Sequence, residues 1–87
     1  MRQRVISDTN EPELHFLVSH FAEQLRTSTP QAMLLDDDDA IIYSTGSPAY
    51  LVISEGSLHQ LSTEEFERRI RQEIRFLGAK LASPAVH

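Results

Sequence analysis

Cysteine is absent from this sequence of 87 residues, and so is tryptophan. Without cysteine the chain has no disulfides, no thiolate nucleophile and no zinc site built on thiolates. A secreted domain of this size usually relies on disulfides to compensate for a thin core, so the sequence predicts a cytoplasmic protein. No apolar run approaches the roughly 18 residues of a membrane span. No long apolar stretch follows Arg2 and Arg4, so we expect neither a membrane span nor a signal peptide.

Basic residues are scarce in the middle of the chain. Residues 11–64 contain nine acidic side chains and one basic side chain, Arg26, and the formal net charge of the whole chain is −5. Binding to nucleic-acid phosphates needs clustered lysine and arginine. The composition therefore makes nucleic acid an unfavourable direct partner and permits a basic protein partner.

Two segments have the apolar periodicity of amphipathic helices. Residues 11–26 follow Asn10, a residue type that often caps a helix, and carry a proline in the first turn, where a missing N–H is tolerated. Residues 62–82 begin with Ser62 and Glu65 at the spacing of a capping box. The apolar stripes are Leu14, Leu17, Val18, Phe21 and Leu25 in the first helix and Phe66, Ile70, Ile74, Leu77 and Leu81 in the second.

Three short segments rich in β-branched, aromatic and aliphatic residues lie between the helices. They are residues 31–35, 40–44 and 49–54, and residues 55–61 are interpreted as a turn and a short connection to the second helix. Short turns separate them, which predicts antiparallel hairpins. The order α-β-β-β-α predicts an α+β fold: a two-layer sandwich in which a three-stranded antiparallel meander packs against two amphipathic helices. We expect one domain over residues 1–87, with flexible ends at residues 1–10 and 83–87. The alternative for residues 1–10 is a short edge strand.

The strands do not alternate cleanly between apolar and polar residues. Ile41 and Ile42 must point to opposite faces of the sheet, and so must Leu51 and Val52. A sheet with one face in water should be apolar on one side and polar on the other. Two alternatives stay open: one helix lies on each face of the sheet, or a second subunit covers one face.

Four consecutive aspartates, Asp36, Asp37, Asp38 and Asp39, stand between two predicted strands and are called the aspartate run below. We interpret them as the solvated tip of a hairpin that keeps the sheet edge from aggregating. The alternatives are a contact with a basic partner and a site for a hard cation. Their spacing differs from that of an EF-hand loop, which alternates its ligands around a glycine. We predict no metal site and no cofactor.

Two phenylalanines lie outside the apolar stripes of their helices. At about 100° per residue, Phe16 lies on the far side of the first helix together with His20, and Phe76 lies off the second stripe beside Arg69. Aromatic rings next to arginine are common in binding hot spots. We predict that these four residues contribute to a partner-binding surface. The alternative is that the rings fill the seam between the helices.

No segment carries a catalytic signature, and a G-x-S-x-G nucleophile elbow is absent. The sequence therefore predicts a non-enzymatic protein–protein interaction module that forms a homodimer. A first alternative is a small acidic regulator or inhibitor, of the antitoxin, chaperone or nucleic-acid-mimic kind, that occludes a basic partner protein. A second alternative is a small metal-binding protein or enzyme that uses the aspartate run.

Overall fold

The computed structural model describes residues 2–46 and 49–82, which fold into a four-stranded sheet and three helices. The elements in chain order are β1 (Gln3–Val5), α1 (Pro12–Gln24), β2 (Gln31–Leu35), β3 (Ile42–Gly46), β4 (Ala49–Ser54), α2 (Glu55–Gln60) and α3 (Thr63–Ala82). The α+β class predicted from the sequence is confirmed. The predicted flexible end at residues 83–87 lies outside the described residues.

The sheet is mixed, with the strand order β1-β2-β4-β3. β1 pairs antiparallel with β2 and β3 pairs antiparallel with β4, but β2 and β4 run parallel. The predicted three-stranded antiparallel meander is therefore wrong in two details, because β1 adds a fourth strand and β2 does not pair with β3. The link over residues 36–41 crosses the end of β4, so β3 pairs on the far side of β4 and forms a sheet edge.

The residues before α1 form a strand and a closed turn where the sequence favoured a loose end. Val5 pairs with Met33 of β2. The side chain of Asn10 donates from Nδ2 to the carbonyl of Val5 at 2.7 Å and accepts from the amide of Ser7 at 2.8 Å. Asn10 is therefore not the predicted helix cap. Glu11 has that position, without a side-chain hydrogen bond to the helix.

α1 and α3 lie on the same face of the sheet and share one hydrophobic core. The residues of β2 and β4 in this core are alternate residues of each strand and point to that face, whereas the buried residues Leu35 and Val52 point to the other face. Among the described residues, this arrangement excludes the alternative in which a helix covers each face. Ile70 and Ile74 of α3 have no exposed surface, and burying such a side chain is worth roughly 1.5–3 kcal/mol. The core consists of Ile6, Leu14, Val18, Phe21, Ala22, Ala32, Leu34, Leu51, Ile53, Phe66, Ile70, Ile74 and Leu77.

A short helix, α2, follows β4 directly, where the sequence predicted a turn and a connection. Ser54 caps it, because its Oγ accepts from the amide of Ser57 at 3.1 Å. Gly56 lies against the backbone of the aspartate run, and a Cβ at this position would meet the carbonyl oxygen of Asp38 at 2.1 Å. Only a residue without a side chain fits such a close approach of two backbones.

α3 begins as the capping-box pattern predicts, since Ser62 Oγ accepts from the amide of Glu65 at 3.1 Å. The helix continues through Gly78 to Ala82. An extra Cβ at Gly78 would meet the side chain of Thr27, which follows α1. Of the described helices, none combines the length and apolar character that a membrane span requires.

Candidate interaction surfaces

The aspartate run is not the tip of a hairpin, because the strands on either side of it, β2 and β3, are separated by β4. Its backbone is held against the start of α2: Gly56 donates its amide to the carbonyl of Asp37 at 2.8 Å, and Gln60 donates its side-chain amide to the carbonyl of Asp38. Asp39 donates its amide to Oδ1 of Asp37 at 2.8 Å. The backbone contacts therefore fix the run over the end of β4, while Asp36, Asp38 and Asp39 remain exposed.

Two glutamates lie near the same end of the sheet. Arg4 bridges them, with its guanidinium 3.0 Å from Glu11 Oε2 and 3.5 Å from Glu55 Oε2. The hydrogen bond to Glu11 is the main cause that raises the pKa of Arg4. Because Glu55 immediately precedes Gly56, this end of the molecule gathers Glu11, Glu55 and the aspartate run.

The described residues do not include any set of three or more histidine, aspartate or glutamate side chains placed to hold a metal ion. The carboxylates of the aspartate run are therefore close in sequence without converging on one point. The structure brings no histidine into such a set with them.

Phe16 lies on the solvent side of α1, as predicted, and is 68% exposed. Its ring stacks on the ring of His20, with centroids 5.7 Å apart and an angle of 11° between the planes. Beside it is a groove of about 470 Å³ in which Leu58 of α2, 40% exposed, lies near α1. The groove is lined by Glu11, Pro12, Glu13, Leu14, Phe16, Leu17 and Leu58. Sequence reasoning missed Leu58, since the segment that carries it was interpreted as a connection.

The aromatic side chains of α1 form a series of contacts that reaches α3. His20 lies 5.9 Å from Phe21, and the guanidinium carbon of Arg71 lies 5.2 Å from the centre of the Phe21 ring. An arginine at this distance from an aromatic face is a favourable cation–π contact. Arg71 thus links the two helices across their outer side. A signal for this contact was present in the sequence, since Arg71 lies beside the apolar stripe of α3.

Phe76 and Arg69 lie on the other flank of α3, which faces β3. Ser44 of β3 donates from Oγ to Glu73 Oε1 at 2.8 Å, which identifies that flank. At about 100° per residue, Phe76 lies about 20° from Arg69 and about 140° from Arg71. Phe76 is 54% exposed and does not fill the α1–α3 seam. The structure therefore separates Phe16 and His20, whose rings stack, from Phe76 and Arg69, which lie on one side of α3.

Arg69 is held by an ion pair within α3. Its Nε donates to Glu65 Oε2 at 2.8 Å, and Arg68 donates to the other oxygen of the same carboxylate. These two hydrogen bonds lower the pKa of Glu65, and the bond from Arg68 has the larger effect. Glu65 thereby connects the cap of α3 to the flank that faces β3.

The sheet face opposite α1 and α3 carries an apolar row across all four strands. Val5, Met33, Val52 and Tyr43 are neighbours in register, and Val5 and Tyr43 at its ends are 44% and 42% exposed. Every strand position on this face is uncharged at neutral pH. These positions are Gln3, Val5, Gln31, Met33, Leu35, Tyr43, Thr45, Tyr50, Val52 and Ser54. Interface cores are depleted of charge and enriched in tyrosine and methionine in the same way.

Comparison with known proteins gives a partial match. No protein-family model matches the sequence. The chain is similar to a protein named Protease HtpX homolog from Pyrococcus abyssi (strain GE5 / Orsay), with 31% identity over 74 residues. The alignment covers 82% of this chain and 26% of that relative, so the chain spans about a quarter of the relative's length.

Proposed function

We propose that this chain is a non-enzymatic protein-interaction module that acts as a homodimer. The observation that carries the proposal is the uncharged surface of the sheet, because neither the face opposite α1 and α3 nor the edge strand β3 carries a charged residue. Tyrosine and methionine side chains supply apolar contact area there, and removing them from water favours association. A location in the cytoplasm belongs to the same proposal, because the sequence has no cysteine for disulfides.

Charge distribution supports self-association through the sheet. Two chains with a formal net charge of −5 repel each other, so their contact is most favourable where both surfaces carry few acidic groups. The uncharged face meets this condition. The end of the molecule with Glu11, Glu55 and the aspartate run does not.

The similarity to part of a protease homologue raises the question of proteolysis. A cysteine protease needs a thiol nucleophile, which this sequence lacks. Zinc proteases carry H-E-x-x-H on a helix. In α3, residues 72–76 read Gln-Glu-Ile-Arg-Phe, with glutamate where the pattern has glutamate, but with glutamine and phenylalanine where it has histidines. These differences support a role in binding rather than in peptide hydrolysis.

Sedimentation velocity over a wide concentration range tests the proposal. We expect a reversible species of twice the 9.9 kDa chain mass, with a heavier fraction that grows with concentration. A chain that stays at 9.9 kDa at every concentration contradicts the homodimer. Cleavage of unfolded casein by the purified chain contradicts the non-enzymatic role.

A second candidate function is the occlusion of a basic partner protein by the acidic end. The observation that favours it is the approach of Glu11, Glu55 and the aspartate run at one end of the sheet. Glu23 lies near the other end of α1 and does not belong to this cluster.

Titration with a decalysine peptide at low salt tests this second candidate. We expect binding that a triple change of Asp36, Asp38 and Asp39 to asparagine weakens at least about tenfold, since electrostatic association depends on local charge. Glu23→Gln is the matched control and should change affinity little. Equal affinity of the triple variant and the unmodified chain contradicts this candidate.

A further inference from the structure

We propose that β3 of one chain pairs antiparallel with β3 of a second copy, so that the two four-stranded sheets join into one sheet of eight strands. This inference rests on the proposed function, and it assigns the contact to the outer edge of β3 and the adjoining flank of α3. Within residues 2–46 and 49–82, β4 is the only strand beside β3, so the outer side of β3 is open to a partner strand.

The hydrogen-bond pattern between β3 and β4 shows which backbone groups face outward. Ser54 donates its amide to the carbonyl of Ile41 at 2.9 Å, and the register places these two residues opposite each other. Hydrogen-bonded and non-hydrogen-bonded pairs alternate along an antiparallel ladder. Every second residue of β3 therefore turns its N–H and C=O away from β4. These residues are Ile42, Ser44 and Gly46.

The three outward-facing residues can pair with the same three residues of a second copy when Ser44 lies at the centre of the contact. When a two-fold axis passes beside Ser44, this residue pairs with Ser44 of the second copy, and Ile42 lies opposite Gly46 of the second copy. The large side chain of Ile42 therefore lies opposite Gly46, which has no side chain, on the face that α3 covers. An isologous contact of this kind closes as a dimer. β3 contains no charged residue and no proline, the two features that usually block an edge.

α3 adds a second layer to the same contact. The hydrogen bond from Ser44 Oγ to Glu73 at 2.8 Å places Glu73 near the two-fold axis. An axis perpendicular to the sheet makes the two α3 helices antiparallel neighbours, with their β3-facing flanks toward each other. Arg69 precedes Glu73 by four residues and Phe76 follows it by three, so Arg69 lies opposite Phe76 of the second copy. The symmetry makes this arginine–aromatic contact twice.

A second copy fits this surface better than an extended peptide does. A peptide pairs with β3 but brings no second helix to the flank of α3 that carries Arg69 and Phe76, whose side chain is 54% exposed. Antiparallel pairing also places the two aspartate runs at opposite ends of the β3 pair. The most acidic segments of two chains of net charge −5 therefore stay apart, and the Glu73 carboxylate of each copy near the axis accepts a hydrogen bond from Ser44.

Sedimentation velocity of full-length variants tests the inference. Phe76→Lys places a positive charge opposite Arg69 of the second copy, and we expect the dimer dissociation constant to rise at least about tenfold. Adding Arg69→Glu to Phe76→Lys places opposite charges there, and we expect recovery to within about threefold of the unmodified chain. Gln24→Lys adds the same charge at an exposed position at the end of α1, outside the candidate surfaces, and should leave the constant unchanged.

The outcomes separate the inference from the proposed function. If the unmodified chain is a monomer, both are overturned. If the chain is a dimer that Phe76→Lys leaves intact, or that the double variant fails to restore, the β3 contact is overturned and the interaction module stands. Amide hydrogen exchange of the unmodified chain gives a result that does not depend on variants. Amide exchange at Ser44 and Gly46 should slow as the chain concentration rises and the dimer forms. Exchange that does not change with concentration overturns the contact.

Discussion

The two edges of the sheet differ in length, charge and surroundings. β1 has three residues, and Arg2 and Arg4 stand at or beside it. β3 has five residues, none of them charged, and the flank of α3 with Phe76 and Arg69 lies toward it. Short edges and charged side chains prevent strand pairing between molecules. The comparison teaches that β1 is protected as an edge, whereas β3 has the properties of a strand that receives a partner.

The largest loss of stability is expected when Gly56 is replaced. Because Gly56 has no side chain, the aspartate run can cross the end of β4, and β3 then pairs on the outer side of β4. In Gly56→Ala the new Cβ lies 2.1 Å from a carbonyl oxygen of the Asp38 backbone, so two backbone segments must separate. We expect a loss of about 3 kcal/mol or more in the free energy of unfolding, measured by urea denaturation. Gly78→Ala is the control: it meets only the Thr27 side chain and should stay within about 1 kcal/mol. Equal stability of the two variants contradicts the account of the crossover.

A lysine on each edge tests the comparison itself. Tyr43→Lys and Val5→Lys change the two ends of one row, at residues of nearly equal exposure, 42% and 44%. In the β3 pair the two lysines at position 43 lie diagonally across the strands, and their repulsion should weaken the dimer about tenfold. Val5→Lys should leave the dimer unchanged. A dimer that is weakened equally by both variants, as measured by sedimentation, removes the distinction between the edges.

The smallest change in stability is expected when Glu65 is replaced. Its carboxylate holds Arg69 on the flank of α3 that faces β3. Hydrogen bonds from Arg68 and Arg69 lower the pKa of Glu65 in the folded chain. A lowered folded-state pKa means that this contribution is present above the unfolded-state value, about 4.3, and is lost as the pH falls through the folded-state pKa. Glu65→Gln should therefore reduce stability slightly at neutral pH and flatten its dependence at acid pH. Identical pH profiles of the variant and the unmodified chain contradict this role.

Local signals in the sequence were sufficient for most of the fold. The periodicity of Leu14, Val18 and Phe21 and the Ser62–Glu65 spacing each reflect interactions within a few residues, and the helices form where they indicate. Strand order reflects contacts between distant residues. The sequence gives no local sign that residues 36–41 cross β4, because that path depends on the contact between Gly56 and Asp38. β1 is short, and the sequence favoured a flexible end over an edge strand there for the same reason, since its pairing partner β2 lies beyond α1.

The candidate surfaces were foreseen in part. Helical geometry placed Phe16 with His20 and Phe76 with Arg69, and the structure keeps both pairs. Helical geometry alone could not show that the two pairs lie on different sides of the molecule, because that depends on which flank of α3 faces β3. The hydrogen bond between Ser44 and Glu73 supplies that information.

The most direct test of the central claim measures how two chains are joined. Because the sequence has no cysteine, Val5→Cys provides a single site for a spin label on β1. In a joined sheet the two β1 strands are seven strand spacings apart, so double electron–electron resonance should give a distance near about 34 Å between labels. Two sheets packed face to face hold the labels within about 20 Å, because the layers are about 10 Å apart and each sheet is four strands wide. A distance near 34 Å supports pairing through β3, and a distance below about 20 Å, or no dipolar signal, contradicts it.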